Sequence, residues 1–384
     1  MSSPLHTSAA SPLHPPLRLG AASPGGLALP AAQPTPEQLY APRGVYLDDE
    51  WLVVADSGNH RVLIWRGLPS RDGAPAGVVL GQPDFTSEGP AAGGRGPANG
   101  MHLPTGVLVV AGRLYVADAW HHRVLVWKRV PERSATPPDY CLGQFRLDAV
   151  EPNRGGAPDA LSLYWPYGLG WCAGWFYIAD TGNRRVLGWR GLPEPGRAPD
   201  LILGQPEPTA HDENRGGPPG PASFRWPHAV AGDAATLYIA DAGNHRVLGW
   251  SPPPEGDRPA DLVLGQPDFT STFELAHVPQ GPHRLRFPYA LALEEGRLAV
   301  ADTANNRVLL WSTTPRTGAF APADAVLGQA TFDEHGENRW RAVAPDTLCW
   351  PYGLWLHRGR LAIADSGNNR VMIWTLNGAG KGGG

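Results

Sequence analysis

A six-bladed, all-β propeller is the fold class that the sequence predicts, and three observations predict it. One stretch, Ala55-Asp-Ser-Gly-Asn-His-Arg-Val-Leu-Ile-Trp65, returns at Ala117–Trp127, Ala179–Trp189, Ala240–Trp250, Ala301–Trp311 and Ala364–Trp374. The repeated acid stands at Asp56, Asp118, Asp180, Asp241, Asp302 and Asp365, a period of about 62 residues. Each unit also holds short apolar runs rich in β-branched and aromatic residues, bounded by Gly, Pro, Asn and Asp, which read as strands rather than helices. Four strands per unit, repeated radially, make a blade of a propeller.

The strands are legible in chain order. The first follows a proline (Pro42, Pro104, Pro166, Pro227, Pro288, Pro351), and the second ends in Ala-Asp, as in Trp51-Leu-Val-Val-Ala-Asp56. The third is Arg-Val-x-x-Trp, and the fourth ends in Leu-Gly-Gln at Gln82, Gln144, Gln205, Gln266 and Gln329. The offset from opening Pro to Asp, as from Pro42 to Asp56, is the same in all six units, and so is the offset from Asp to Trp. The offset from the Gly of Leu-Gly-Gln to the next Pro, as from Gly81 to Pro104, is likewise constant in all five cases. The loops therefore belong to the blade as much as the strands do. The sixth unit has no fourth strand after Trp374. Leu17-Arg-Leu-Gly20 supplies one, and its gap from Gly20 to Pro42 falls a single position short of the constant one. Residues near 16–21 are therefore expected to complete the last blade and close the ring, which removes an exposed strand edge. The expected organisation is a disordered Ser/Pro tail over residues 1–14, one propeller over 15–376 and a flexible Gly-rich tail over 377–384.

The chain has 384 residues and a formal net charge of −4, too mild for a strongly electrostatic partner of nucleic acid or membrane. Its three cysteines, Cys141, Cys172 and Cys349, form no metal or disulfide spacing. Neither a signal-peptide core nor a membrane-length apolar run is present, so a cytoplasmic, monomeric protein is expected, with no membrane partner.

The turns Asp56-Ser-Gly-Asn-His-Arg-Val62, Asp180-Thr-Gly-Asn-Arg-Arg-Val186 and Asp365-Ser-Gly-Asn-Asn-Arg-Val371, each preceded by the proline-led strand, resemble NHL repeats. The resemblance runs over essentially the whole chain from about residue 16. Leu80–Phe85 and Leu264–Phe269, both Leu-Gly-Gln-Pro-Asp-Phe, are similar to a long-loop bacterial variety. It implies a propeller but no single function, since members serve as scaffolds, RNA binders, sensor domains and a few lyases.

A residue present in every blade is expected to serve the blade. The six Asp and six Arg read as turn and ion-pair groups, with Gly58, Gly182, Gly243 and Gly367 supplying positive φ, and the six Trp as filler between sheets. Departures from the repeat say more. Blade two reads Asp118-Ala-Trp-His-His-Arg123, which makes Trp120, His121 and His122 binding candidates. The residue after each opening proline also varies: Arg43, Thr105, Tyr167, His228, Tyr289 and Tyr352. These six are expected to ring the channel mouth as a polar-aromatic site for a ligand or peptide, with small residues after them where the inner strands approach the axis. Trp165, Trp226 and Trp350 directly precede their prolines. Arg154, Arg215 and Arg339 all stand at one offset before Pro166, Pro227 and Pro351, a regularity that favours loop bracing.

No phosphate loop, zinc-protease motif or serine-nucleophile elbow is present. The leading expectation is a non-enzymatic interaction module that binds a protein or peptide partner on its loop-rich face and needs no cofactor. Two alternatives stand beside it. The resemblance allows a metal-assisted lyase or hydrolase, for which His228, His102 and His121 are the available imidazoles and three would have to converge. It also allows single-stranded RNA binding on aromatic and arginine side chains of the same face.

Overall fold

The computed structural model describes residues 16–21, 33–274 and 277–376, so the expectations for the two tails lie outside the described residues. Six antiparallel sheets surround a central channel. In blade three the strands run Pro166–Cys172, Trp175–Asp180, Arg185–Arg190 and Leu201–Leu203 from the axis outward. The second strand is buried along its whole length, because it lies mid-sheet with a neighbouring blade on each face. That is why it reads as a continuous apolar run rather than an alternating one.

The ring closes as expected. Leu17–Gly20 pairs antiparallel with the third strand of blade six, in register Leu17↔Ile373 to Gly20↔Arg370. Closure leaves one mark. The indole N–H of Trp65, Trp127, Trp189, Trp250 and Trp311 donates to a carbonyl in the loop between third and fourth strands. Blade six takes its fourth strand from the other end of the chain, and Trp374 Nε1 is buried without a partner among the described residues. One addition was not foreseen: Gly318–Ala319, from blade five's outer loop, pairs parallel with the edge of blade four.

Small residues let the inner strands touch. A Cβ on Gly44 would meet the Thr105 carbonyl oxygen at 1.9 Å, and one on Gly168 would meet that of His228 at 2.2 Å. The turn glycines also work by space, which corrects the expectation of positive φ. The left-handed residue of each turn lies two positions later, at His60, His122, Arg184, His245, Asn306 and Asn369. A Cβ on Gly58 would instead strike Tyr40, and one on Gly182 would strike Tyr164, at 2.5–2.7 Å.

Those left-handed residues staple one blade to the next. His60 Nδ1 accepts the backbone N–H of Leu103, and His122 Nδ1 that of Trp165. His245, Asn306 and Asn369 do the same for Phe287, Trp350 and Ala41. Arg184 has no acceptor, and at that junction the Trp226 N–H turns to Asp241 of its own blade at 3.3 Å. Trp226 is accordingly absent from the left-handed residues, where the other five stapled positions fall. The sequence signal is plain afterwards: an arginine stands where every other blade has His or Asn.

Candidate functional site

All of the repeated Asp and Arg side chains are buried and engaged. Each Arg Nε donates to the Oδ2 of its own Asp at 2.7–2.9 Å. The Asp Oδ1 accepts a backbone N–H from the loop 16 residues earlier, as at Tyr40 and Tyr164. The remaining guanidinium donors reach loop carbonyls; Arg185 uses those of Pro208, Asp159 and Ser162. One ion pair thus fastens the loops of its blade, and its groups are engaged within the protein.

In blade two, His121 is buried and its Nδ1 lies 2.9 Å from Asp118 Oδ2. Asparagine fills that place elsewhere, as Asn59 donates to Asp56 Oδ2 at 2.9 Å. Burial pushes the Asp118 carboxyl up, but Arg123 and His121 together hold it below the ordinary range. His121 is therefore part of the blade rather than of a contact surface, and His122 is a staple. Of the three candidates in that turn only Trp120, 48 % exposed, is presented to solvent. His102 lies 5.7 Å from it and Trp165 lies 6.4 Å away, ring centre to ring centre.

Five of the six residues after the opening prolines converge on the channel. Arg43, Tyr167, His228, Tyr289 and Tyr352 line a cavity of about 120 Å³. They close on one another instead of standing apart at a mouth. His228 stacks on Tyr289 at 4.3 Å with 7° between planes, and Tyr167 approaches His228 to 4.4 Å. Tyr289 meets Tyr352 at 4.9 Å, and the Arg43 guanidinium lies 5.0 Å from the centre of the Tyr352 ring. Thr105 leaves the site: it is buried, and its hydroxyl donates to the Tyr167 carbonyl at 2.9 Å across a blade junction. His228 Nδ1 faces the Trp226 carbonyl at 2.9 Å, which makes it the protonated nitrogen. Burial lowers the pKa of this imidazole to about 4, so it is neutral at pH 7. Below the ring the wall is apolar, formed by Val45, Val107, Leu169, Val230, Leu291 and Leu354, one from each blade.

His102 and His121 meet at 5.6 Å between ring centres, but His228 lies apart in the channel, so the three do not converge. Among the described residues no three His, Cys, Asp or Glu side chains are placed to hold a metal ion. The thiols are buried, and burial pushes Cys172 and Cys349 up to about 12. Among the described residues no helix is long and apolar enough to cross a membrane.

The loops that carry the staples, the Asp turns and the connections between blades all emerge on one face. Arg154 and Arg339 brace them through backbone carbonyls, and Arg215 through Gly204 and Asp257. Two exposed aromatics there escaped the sequence reading. Phe145, 75 % exposed, follows Leu-Gly-Gln where blades one, three and four have Pro83, Pro206 and Pro267. Trp340, 76 % exposed, stands where the equivalent loops have Gly155 and Gly216. Its φ of 56° is the left-handed conformation those glycines adopt without strain. Both were visible as departures from the repeat, the same signal that singled out Trp120.

No protein-family model matches the chain, and no curated protein matches it. Among solved structures it is similar to a streptogramin B lyase, with 11 % identity over 91 % of this chain and 96 % of that one, at a TM-score of 0.45. It is similar also to the WD40 propeller domain of Doa1, with 12 % identity, 90 % and 97 % coverage and a TM-score of 0.46. A third is the glutaminyl cyclase of Myxococcus xanthus, with 13 % identity, 72 % and 91 % coverage and a TM-score of 0.39.

Proposed function

We propose that the protein is an NHL-type propeller acting as a binding module, whose loop-bearing face docks a protein or peptide partner. The observation that carries this reading is where the exposed large apolar side chains lie. Of eight among the described residues, Tyr40, Trp120, Phe145, Tyr164, Phe273, Trp340 and Trp350 are on the loop-bearing face, and Trp171 alone is at the opposite end of an inner strand. Aromatic residues concentrated on one side of a soluble protein mark an interaction surface, and tryptophan is the commonest anchor in such surfaces. Trp120 and Trp340 strengthen the case, because each replaces a turn glycine that other blades retain. The strained backbone of Trp340 is tolerated with its indole turned outward, which serves contact better than it serves the fold.

The test uses reversion to the repeat. A Trp120→Gly, Trp340→Gly variant restores residues that the other blades use, so it keeps the fold while removing both anchors. Wild type, this variant and Trp171→Ser would be compared in affinity capture from the lysate of the source cell, with quantitative mass spectrometry. A partner held by wild type and Trp171→Ser but lost from the double variant supports the reading. Equal recovery on all three, or no specific partner on any, overturns it.

A further inference from the structure

The channel ring carries phenol donors and, among the described residues, a cation without a counter-charge. Arg43 is the only charged side chain lining the cavity among the described residues, and no carboxylate there pairs with it. The aromatic ring of Tyr352 is its neighbour instead. The hydroxyl of Tyr167, a buried side chain, has the Arg43 guanidinium as its neighbour and no acceptor among the described residues. Tyr289 and Tyr352 are half-buried, so solvent reaches the ring. Burial pushes the Tyr289 phenol up to about 12 and raises those of Tyr167 and Tyr352. All three are O–H donors at neutral pH. Arg43 is half-buried, and a partly desolvated arginine without a counter-charge makes an incoming anion the group best able to complete its surroundings.

We propose that the channel binds a small monocarboxylate with a compact apolar body. The carboxylate would sit against the Arg43 guanidinium, a planar fork suited to it, with phenol hydroxyls donating to the remaining lone pairs. The apolar body would lie along the wall from Val45 to Leu354 described above. The cavity of about 120 Å³, open to solvent past Tyr289 and Tyr352, suits a short aliphatic chain rather than a bulky body. Two rival ligand classes fit worse. An aromatic ring of this kind suits a quaternary ammonium, but Arg43 would repel it. A phosphate dianion would bring two charges to one guanidinium beside a hydrocarbon wall.

Isothermal titration calorimetry on the full chain tests this with hexanoate, its neutral counterpart hexanol, and inorganic phosphate. Hexanoate is expected to bind one to one, with hexanol and phosphate weaker by about tenfold or more, a difference of ~1.4 kcal/mol. Arg43→Met, whose fold is checked by its melting curve, is expected to lose binding by about the same factor. Tyr352→Phe keeps the ring and removes one donor, and is expected to weaken hexanoate measurably. The Trp120→Gly, Trp340→Gly variant should bind hexanoate as wild type does, which separates this site from the docking face. Hexanoate that fails to bind, or binds Arg43→Met equally, overturns the proposal. Phosphate or hexanol binding as tightly as hexanoate overturns the carboxylate class. Should Arg43→Met not fold, unchanged affinity in Tyr352→Phe counts against the site.

Discussion

Two sets of arginines divide this molecule. Arg61, Arg123, Arg185, Arg246, Arg307 and Arg370 recur at one position, each on its own aspartate and on loop carbonyls. Arg43 occurs in one blade only and has an aromatic ring where the others have a carboxylate. The six have their donors engaged by the protein, so they explain why the blades are rigid. The one has Tyr167 and Tyr352 beside it, and no ion pair among the described residues explains its place. Repetition with satisfied chemistry marks structure, and a singular cation without a counter-charge is what the proposed carboxylate site rests on. That contrast can be attacked from both sides.

The largest effect is expected from breaking one of the six. Asp180→Ala leaves Arg185 buried without its charge partner and frees the Tyr164 N–H and the Asn183 amide as well. A loss of about 3–5 kcal/mol is expected in chemical denaturation. A loss below about 1 kcal/mol would place these pairs with ordinary surface bridges and dissolve the contrast. Next comes ring closure. Deleting residues 1–12 is expected to leave the melting temperature unchanged, whereas deletion through Gly20 removes the fully buried Leu19 and a whole edge strand. On the order of 3 kcal/mol should be lost from the apolar burial alone. Equal melting temperatures for the two truncations would show that the ring does not depend on this strand.

A smaller effect belongs to the histidine staples. Burial, with neighbouring imidazoles adding to it, lowers His60 and His122 from 6.5 to about 4. Above about pH 6.5 both the folded and unfolded forms are neutral and the staples contribute fully. As pH falls from 6.5 toward 4 the unfolded chain takes up protons that the folded chain refuses, so stability is lost across that window and no further below it. Asn306 and Asn369 make the same bond without titrating. The double change His60→Asn, His122→Asn should therefore keep stability at pH 7.5 and shrink the drop between pH 6.5 and 4.5. His228 and His245, also lowered by burial, leave a residual slope. An unchanged pH profile would show that these two imidazoles do not couple to folding.

How much of this was legible follows from what spacing encodes. The constant offsets from Pro to Asp to Trp determine backbone path, and so blade number, strand order and the closing role of Leu17–Gly20 could be read directly. The convergence of Arg43, Tyr167, His228, Tyr289 and Tyr352 followed from the same offsets. Side-chain direction did not, because it is decided across blade junctions. Thr105 turns to a carbonyl in the next blade, and His121 turns back to its own aspartate. The turn glycines were assigned the wrong physics for a related reason: their constraint is the Tyr40 or Tyr164 side chain arriving from another loop. Phe145 and Trp340 depart from the repeat as Trp120 does, and comparison of the blades at the positions after Leu-Gly-Gln and Asn-Arg exposes them.

The smallest expected effect is the sharpest for the contrast. Arg43→Met replaces a guanidinium that has no carboxylate by an apolar side chain of similar reach, facing Tyr352 and the hydrocarbon wall. If the fold relied on this arginine as it does on the six, the change would cost several kcal/mol, on the order of a broken buried pair. If Arg43 is held for a ligand, the empty protein loses a cation–π contact of about 0.5–2 kcal/mol and the Tyr167 contact, and is relieved of a half-buried charge without a counter-charge. These terms oppose each other. The expected net change in unfolding free energy is within about 0.5 kcal/mol of zero, of either sign, measured at pH 7.5 without added carboxylate. A loss as large as that of Asp180→Ala would return Arg43 to the structural set, and the channel would lose its claim to a ligand.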